Sequence, residues 1–182
     1  MAASKITGRL VSVYLTGFMG SGKTEVGRSL AQQLGWEFAD LDHRIEKKGR
    51  AIHEIFAAEG EAAFRAIETA TLRELLQESS AHRIVALGGG TFCEAANVEL
   101  LRTAGQRVIF LDAPVEELWR RCNQHGGSVR PLRQDRTQFN TLWQQRRLHY
   151  ANADFAVQSV AKSVADVAAE IETLLRQKSL VK

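Results

Sequence analysis

A glycine-rich segment near the start of the chain carries the clearest chemical signal. The stretch LTGFMGSGKTEVG, residues 15–27, contains Gly17-x-x-x-x-Gly22-Lys23-Thr24, which matches the Walker A pattern at each fixed position. Glycines let backbone N–H groups approach phosphate oxygens, and a helix N-terminus adds further donors and partial positive charge. The lysine can reach the β- and γ-phosphates, and the threonine hydroxyl can bind Mg²⁺. The residues predicted to bind a nucleoside triphosphate are Gly17, Gly20, Ser21, Gly22, Lys23 and Thr24.

Two aspartates, Asp40 and Asp42, follow the second predicted strand in FADLD. In an open parallel sheet, ligands bind beyond the carboxyl ends of the strands. Two carboxylates two residues apart on an extended chain point the same way. One could then hold Mg²⁺ through water while the other binds or deprotonates a hydroxyl. A pair of solvated loop acids is the alternative, but the position at a strand end favours a functional role.

A turn of three glycines, Gly88, Gly89 and Gly90, follows the third predicted strand. Such a turn brings bare backbone N–H groups to the same sheet edge, where they could donate to a carboxylate or a phosphate. A flexible turn without function is the alternative. Because a turn rarely needs three glycines directly after a buried strand, we favour a binding role.

The elements that must position these residues alternate between strand and helix. The predicted strands are RLVSVYLT, WEFADLD, RIVALGGG, RVIFLDAP and DFAVQS. The predicted helices include one from about Thr24 to Gly35, two over residues 52–58 and 61–79, and a last one capped by Ser163 and Asp166. This alternation predicts an α/β protein, a parallel sheet with helices on both faces, in a single domain over residues 1–182. The irregular stretch at about 123–137 predicts a mobile lid.

Composition narrows the class of protein. The 182 residues are 45% hydrophobic and 25% charged, as expected for one globular domain. We expect no membrane span, since no apolar run is long enough, and the start lacks a signal peptide's apolar segment. Cys93 and Cys122 show no disulfide or metal spacing, which favours reduced thiols in a cytoplasmic protein.

The net charge of +3 could indicate a nucleic-acid partner. The excess is small, however, and the cations do not form one block. The richest run contains Arg130, Arg133, Arg136, Arg146 and Arg147. Arginines around an anionic small molecule explain it equally well. We expect a small-molecule substrate, no nucleic-acid or membrane partner, and a monomer.

Six segments together resemble the shikimate kinase family: GFMGSGKTEVGRSLA, FADLD, IHEIFAAEGEAAFRAIE, VALGGG, SVRPL and RRLHY. The resemblance spans about residues 10–150. Many enzymes share the Walker A motif, but IFAAEGEAAFRAIE combined with LGGG and RPL is far more selective. The resemblance implies a three-layer P-loop kinase fold whose five-stranded parallel sheet has the order 2-3-1-4-5. It also implies transfer of the γ-phosphoryl group of ATP to the 3-hydroxyl of shikimate, in the route to chorismate and aromatic amino acids.

The resemblance also assigns the reaction chemistry. It implies that Asp42 binds the ring hydroxyls and is the base, and that Asp40, with Thr24, assists Mg²⁺. Lys23, Mg²⁺ and Arg130 would neutralise the phosphoryl charge. Arg130 in the lid would bridge the substrate and the transferred phosphate.

The same resemblance assigns the binding residues. Arg65 and Arg146 would pair with the shikimate carboxylate, and Gly88–Gly90 would line the pocket. The shikimate-binding helical region is expected at about residues 42–70. Arg121 is the closest match to an arginine that stacks near adenine in the family.

Two positions depart from the family pattern. Leu41 stands between the two aspartates, where Ser or Thr is usual, and Leu148 stands where the family often has Pro. In an extended segment Leu41 is expected to point away from the two acids. Another P-loop kinase acting on a small metabolite, such as a gluconate kinase, stays open as an alternative. A nucleotide-binding regulator without catalysis is a further one.

Overall fold

The computed structural model describes residues 12–78, 82–124 and 135–178. Its sheet contains the strands β1 (Val13–Thr16), β2 (Glu37–Asp40), β3 (Arg83–Ala86), β4 (Arg107–Asp112) and β5 (Phe155–Gln158). Each neighbouring pair is parallel, and the spatial order is β2-β3-β1-β4-β5. This confirms the predicted strand order and the α/β fold class.

Seven helices are described: α1 (Lys23–Leu34), α2 (Leu41–Glu46), α3 (Ile52–Gln77), α4 (Ala95–Thr103), α5 (Val115–Gln124), α6 (Arg136–Tyr150) and α7 (Val164–Gln177). A short 3₁₀ turn, Thr91–Cys93, precedes α4. Sequence reasoning did not predict α4. Within the described ranges, no helix is both long and apolar enough to cross a membrane.

Side chains alternate across β1 and so serve two separate cores. Val13 and Leu15 pack in a cluster with buried residues of α1 and α7, whereas Tyr14 belongs to the cluster formed with α2 to α6. Such alternation follows from the two-residue period of a strand. The sheet is therefore covered on both faces, which gives the three layers that were predicted.

Glycine and capping residues set several helix boundaries as expected. Gly35, with φ of 67°, ends α1, and Ser163 and Asp166 form a capping box at the start of α7. The two helices predicted on either side of residue 60 are parts of α3, which breaks at Gly60 with φ of 81°. Val164, the first residue of α7, is 43% exposed.

The prediction that the second strand extends through both aspartates is wrong. β2 ends at Asp40, whose carboxylate accepts a hydrogen bond of 3.2 Å from the His43 backbone and so caps α2. Asp42 lies in the first helical turn, and Leu41 is completely buried. The helix cap overrides the extended pattern, so the expected extended geometry of the two acids does not apply.

Candidate functional site

The glycine loop joins β1 to the N-terminus of α1 and needs glycine for two reasons. Gly17, Gly20 and Gly22 have φ values of 146°, 79° and 92°, a region that side chains disfavour. A Cβ on Gly17 would lie 2.7 Å from the Leu111 carbonyl oxygen, and one on Gly20 would lie 2.9 Å from Cys122 Sγ. The β4–α5 side of the fold therefore packs directly against the loop.

Polar side chains at the end of this loop lie where a nucleotide would bind. Lys23 Nζ donates to the carbonyls of Gly17, at 2.9 Å, and Phe18, at 3.1 Å. Ser21 is 1% exposed, and its hydroxyl has no hydrogen-bond partner among the described residues. A buried polar atom of this kind marks a position where a ligand could supply the partner.

Thr24 and Asp40 connect the loop to the neighbouring strand. The Thr24 hydroxyl donates to Asp40 Oδ2 at 2.8 Å, so a hydroxyl and a carboxylate oxygen lie together at the sheet edge. Mg²⁺ prefers oxygen ligands and is usually held by one or two protein groups together with substrate phosphates. In the described part of the chain, no group of three or more His, Cys, Asp or Glu residues could hold a metal ion. The Thr24–Asp40 pair fits the Mg²⁺ role predicted for it.

One cavity of about 730 Å³ runs along the carboxyl ends of the strands, a volume in the range of small-molecule sites. Its wall includes residues predicted to bind the nucleotide and Mg²⁺ as well as residues predicted to bind the substrate. They are Gly20, Ser21, Gly22, Lys23, Thr24, Asp40, Asp42, Gly89, Arg121 and Arg146. Gly17, Arg65, Gly88 and Gly90 are not in its wall. Of these, Gly88 lies against Asp42, which is in the wall, and Gly90 lies against Arg65.

The turn Gly88–Gly90 is the surface against which the predicted substrate residues pack. A Cβ on Gly88 would lie 2.6 Å from Asp42 Oδ1, and a Cβ on Gly90 would lie 2.6 Å from Arg65 Nη1. Neither glycine has a positive φ. The need for glycine there is close approach by side chains, a reason that the sequence did not reveal.

Glu68 is a site residue that sequence reasoning missed. It is 0% exposed, accepts from Arg65 Nη1 at 2.8 Å and accepts from the Thr91 hydroxyl at 2.6 Å. Arg65 also donates to the exposed Glu61 at 3.0 Å. A signal was available, because position 68 falls on the apolar face that Phe64 and Leu75 define, where a carboxylate is unusual.

The ion pairs keep Arg65 charged in a partly buried position. Burial works against the charged form, but the hydrogen bonds that Arg65 donates to Glu68 and Glu61, together with the negative charge of these two carboxylates, outweigh it and raise the pKa of Arg65 above its ordinary value. The guanidinium is thus held as a fixed cation beside Gly90.

Helix α6 presents Arg146 to the cavity from the opposite side. Its guanidinium lies over the Phe18 ring, 6.0 Å from the centroid, and Nη1 lies 3.5 Å from where a Gly89 Cβ would be. The adjacent Arg147 instead donates to Asp112 at 3.0 Å. Tyr150, the last residue of α6, is 1% exposed and donates its hydroxyl to the Gly89 carbonyl.

Arg121 lies at the nucleotide end of the cavity. It donates to the Ser159 carbonyl at 2.6 Å, to the Gly20 carbonyl at 3.4 Å and to Glu117 at 2.7 Å. Arg130 and the central part of the predicted lid lie outside the described residues; α5 ends at Gln124 and α6 begins at Arg136.

The family model for shikimate kinase matches residues 19–176. The chain belongs to the shikimate kinase family. It is therefore an ATP-dependent kinase, as the resemblance implied. Both the resemblance stated from six sequence segments and the fold that it implied are confirmed.

Curated relatives support this family assignment over most of the chain. A shikimate kinase of Persephonella marina is 38% identical over 162 residues, which cover 88% of this chain and 96% of the relative. A shikimate kinase of Geobacter metallireducens is 43% identical over 164 residues, covering 88% and 89%.

Solved structures of the family have the same fold. Shikimate kinase from Acinetobacter baumannii, in complex with shikimate, superposes with a TM-score of 0.84 at 37% identity and covers 98% of this chain and 99% of that one. Shikimate kinase from Aquifex aeolicus gives a TM-score of 0.80 at 30% identity, covering 93% and 99%.

The two departures from the shikimate kinase family pattern, Leu41 and Leu148, occupy very different environments in the structure. Leu41, the first residue of α2, is fully buried in the hydrophobic core, while Leu148 is 77% exposed on α6. Leu41 is therefore a core residue, and Leu148 faces away from the core. Neither lines the cavity.

Proposed function

We propose that this chain transfers the γ-phosphoryl group of ATP to the 3-hydroxyl of shikimate, giving shikimate 3-phosphate and ADP. The observation that carries the proposal is one cavity whose wall joins the nucleotide loop to Asp42, Gly89 and Arg146. The Acinetobacter baumannii relative, which covers nearly the whole chain, was solved in complex with shikimate. That acceptor also fits the charge of the site, since its carboxylate would face two arginines.

The donor half would be built on the loop and the Thr24–Asp40 pair. Lys23, whose ammonium now contacts loop carbonyls, would turn to the β- and γ-phosphates of ATP. Thr24 and Asp40 would hold Mg²⁺, which when bound neutralises charge on those phosphates. Arg121 lies beside Gly20 and would border the adenine end, while Arg130 stays a prediction for the transferred phosphate.

The acceptor half would depend on Asp42. Its carboxylate lies against Gly88 and in the cavity wall, where it can orient a substrate hydroxyl and accept its proton. Phosphoryl transfer needs positioning and charge neutralisation more than covalent assistance. A fixed carboxylate at the first turn of α2 meets that need.

Arg65 and Arg146 would bind the substrate carboxylate from two directions. Arg65 lies against Gly90 and Arg146 beside Gly89, so neighbouring residues of one turn separate the two cations. Guanidinium groups match the geometry of a carboxylate. Fixing the carboxylate fixes the ring and therefore the 3-hydroxyl.

The test is ADP release by the purified protein with ATP and Mg²⁺, measured with and without shikimate. We expect turnover that depends on shikimate and a product phosphorylated at the 3-hydroxyl. Gluconate, which also offers a carboxylate and hydroxyls, is the matched competing substrate. Shikimate-independent ATP turnover, or a preference for gluconate, would contradict the proposal. Gel filtration would test the expected monomer.

A further inference from the structure

The hydroxyl of Tyr150 connects two parts of the site that come from distant segments. Tyr150 ends α6, and its hydroxyl donates to the carbonyl of Gly89 in the turn after β3. The side chain is 1% exposed, so its buried hydroxyl is paired with the carbonyl of the half-buried Gly89. A carbonyl left without that donor would incur a desolvation penalty.

Arg146 lies four residues before Tyr150, so both side chains project from the same face of α6. The Arg146 guanidinium and the Cys93 thiol are close enough to the tyrosine hydroxyl to influence its pKa. Burial raises the pKa of Tyr150 well above its ordinary value, with Cys93 raising it further and Arg146 lowering it. The hydroxyl therefore stays protonated and remains a donor to Gly89.

The turn that accepts this hydrogen bond is also the turn that separates the two arginines. Arg65 packs against Gly90, and Arg146 Nη1 lies 3.5 Å from the Cβ position of Gly89. On the Arg65 side of the turn, Glu68 accepts hydrogen bonds from both Arg65 and Thr91, the residue that follows Gly90. In the described structure, the Tyr150 hydroxyl is the corresponding link on the Arg146 side.

We propose that Tyr150 is a positioning residue that sets the distance between Arg146 and Arg65, and so the fit of the site to a substrate carboxylate. This inference rests on the proposed function, in which that carboxylate belongs to shikimate. Tyr150 does not line the cavity and acts through Gly89 and Arg146. Its role is therefore in substrate binding and not in the transfer step.

The chain offers a matched control, because it has two tyrosines and both are buried. Tyr14 lies on β1, 2% exposed, in the same hydrophobic cluster but outside the cavity wall. Y150F and Y14F each delete one buried hydroxyl. We expect Y150F to raise the KM for shikimate about five- to twenty-fold, the range for a lost buried hydrogen bond, with the KM for ATP and kcat nearly unchanged. Y14F should leave all three constants unchanged.

A double-mutant cycle with Arg146 distinguishes a positioning role of Tyr150 from a general loss of stability. In an R146A background, adding Y150F should raise the shikimate KM by less than about two-fold, because residues acting through one another are not additive. Full additivity, an unchanged KM in Y150F, or equal rises of both KM values with a lower Tm would overturn the inference. A wild-type protein without shikimate-dependent turnover would instead overturn the proposed function.

A measurement on the unmutated protein covers the case in which Y150F does not fold. With ¹³C at Cζ of both tyrosines, saturation with shikimate should shift the Tyr150 resonance and leave that of Tyr14 in place. The resonances can be assigned from Y14F. A Tyr150 signal that does not move on saturation would overturn the inference.

Discussion

Glu68 and Arg65, one helical turn apart on α3, form an ion pair of 2.8 Å in which the carboxylate is completely buried. The same Arg65 pairs at 3.0 Å with Glu61, whose side chain is 65% exposed. One guanidinium thus has a buried and an exposed partner. The two partners should differ strongly in what they contribute, because breaking a buried pair leaves an uncompensated charge, whereas surface pairs are worth little.

The first prediction compares E68A with E61A. Removing Glu68 leaves Arg65 and Thr91 without their buried acceptor, so we expect the free energy of unfolding to fall by about 3 kcal/mol and the shikimate KM to rise. E61A should lower the free energy of unfolding by less than about 1 kcal/mol. Urea unfolding and steady-state kinetics measure both effects; equal losses in the two variants would contradict the assignment.

The second prediction concerns Asp42. If its carboxylate orients the hydroxyl and accepts its proton, D42N should lower kcat by about 10²- to 10⁴-fold. ATP affinity should stay near the wild-type value, since the nucleotide loop is untouched. D112N is the control: Asp112 ends β4, pairs with Arg147 and does not line the cavity. Normal turnover of D42N would remove Asp42 from the mechanism.

The third prediction separates the glycines of the turn. G88A places a methyl group 2.6 Å from Asp42 Oδ1 and should mainly lower kcat. G90A places one 2.6 Å from Arg65 Nη1 and should mainly raise the shikimate KM. G89A meets its nearest side-chain atom at 3.5 Å and should raise that KM less than G90A does. Equal effects from all three would show that close packing is not the reason for these glycines.

The fourth prediction concerns Mg²⁺. If Thr24 and Asp40 hold the ion, D40N should raise the Mg²⁺ concentration needed for half-maximal activity, and excess Mg²⁺ should restore part of the rate. Removal of Mg²⁺ by a chelator should abolish turnover. Asp40 also caps α2, so the Tm is measured in parallel. A Mg²⁺ requirement unchanged in a folded D40N protein would exclude Asp40 from the metal site.

Local patterns in the sequence predicted the features that depend on neighbouring residues. The phosphate-binding loop is recognised from a fixed spacing of glycine, lysine and threonine between Gly17 and Thr24. The alternation of strands and helices indicates a parallel sheet. The capping box of Ser163 and Asp166 was also visible, since each residue acts within one turn of the chain. The order of the strands came from the resemblance to a family and not from periodicity.

The error at Asp42 has a local cause as well. The predicted strand WEFADLD includes both acids, but an aspartate that accepts from the backbone three residues later begins a helix. This changes how Asp42 reaches the cavity: it comes from the first turn of α2, next in the chain to the buried Leu41.

The sequence alone determined the phosphate-binding loop, the fold class and the family, because each depends on residue types at short, fixed spacings. Only the tertiary structure decided why Gly88 and Gly90 must be glycine, which acid holds Arg65, and what Tyr150 bonds to. Gly88 lies against Asp42 and Gly90 against Arg65, 46 and 25 residues away in the chain. Thr91 bonds to the buried Glu68 across 23 residues, and the Tyr150 hydroxyl bonds to Gly89 across 61. Contacts of that kind exist only after strands and helices have packed.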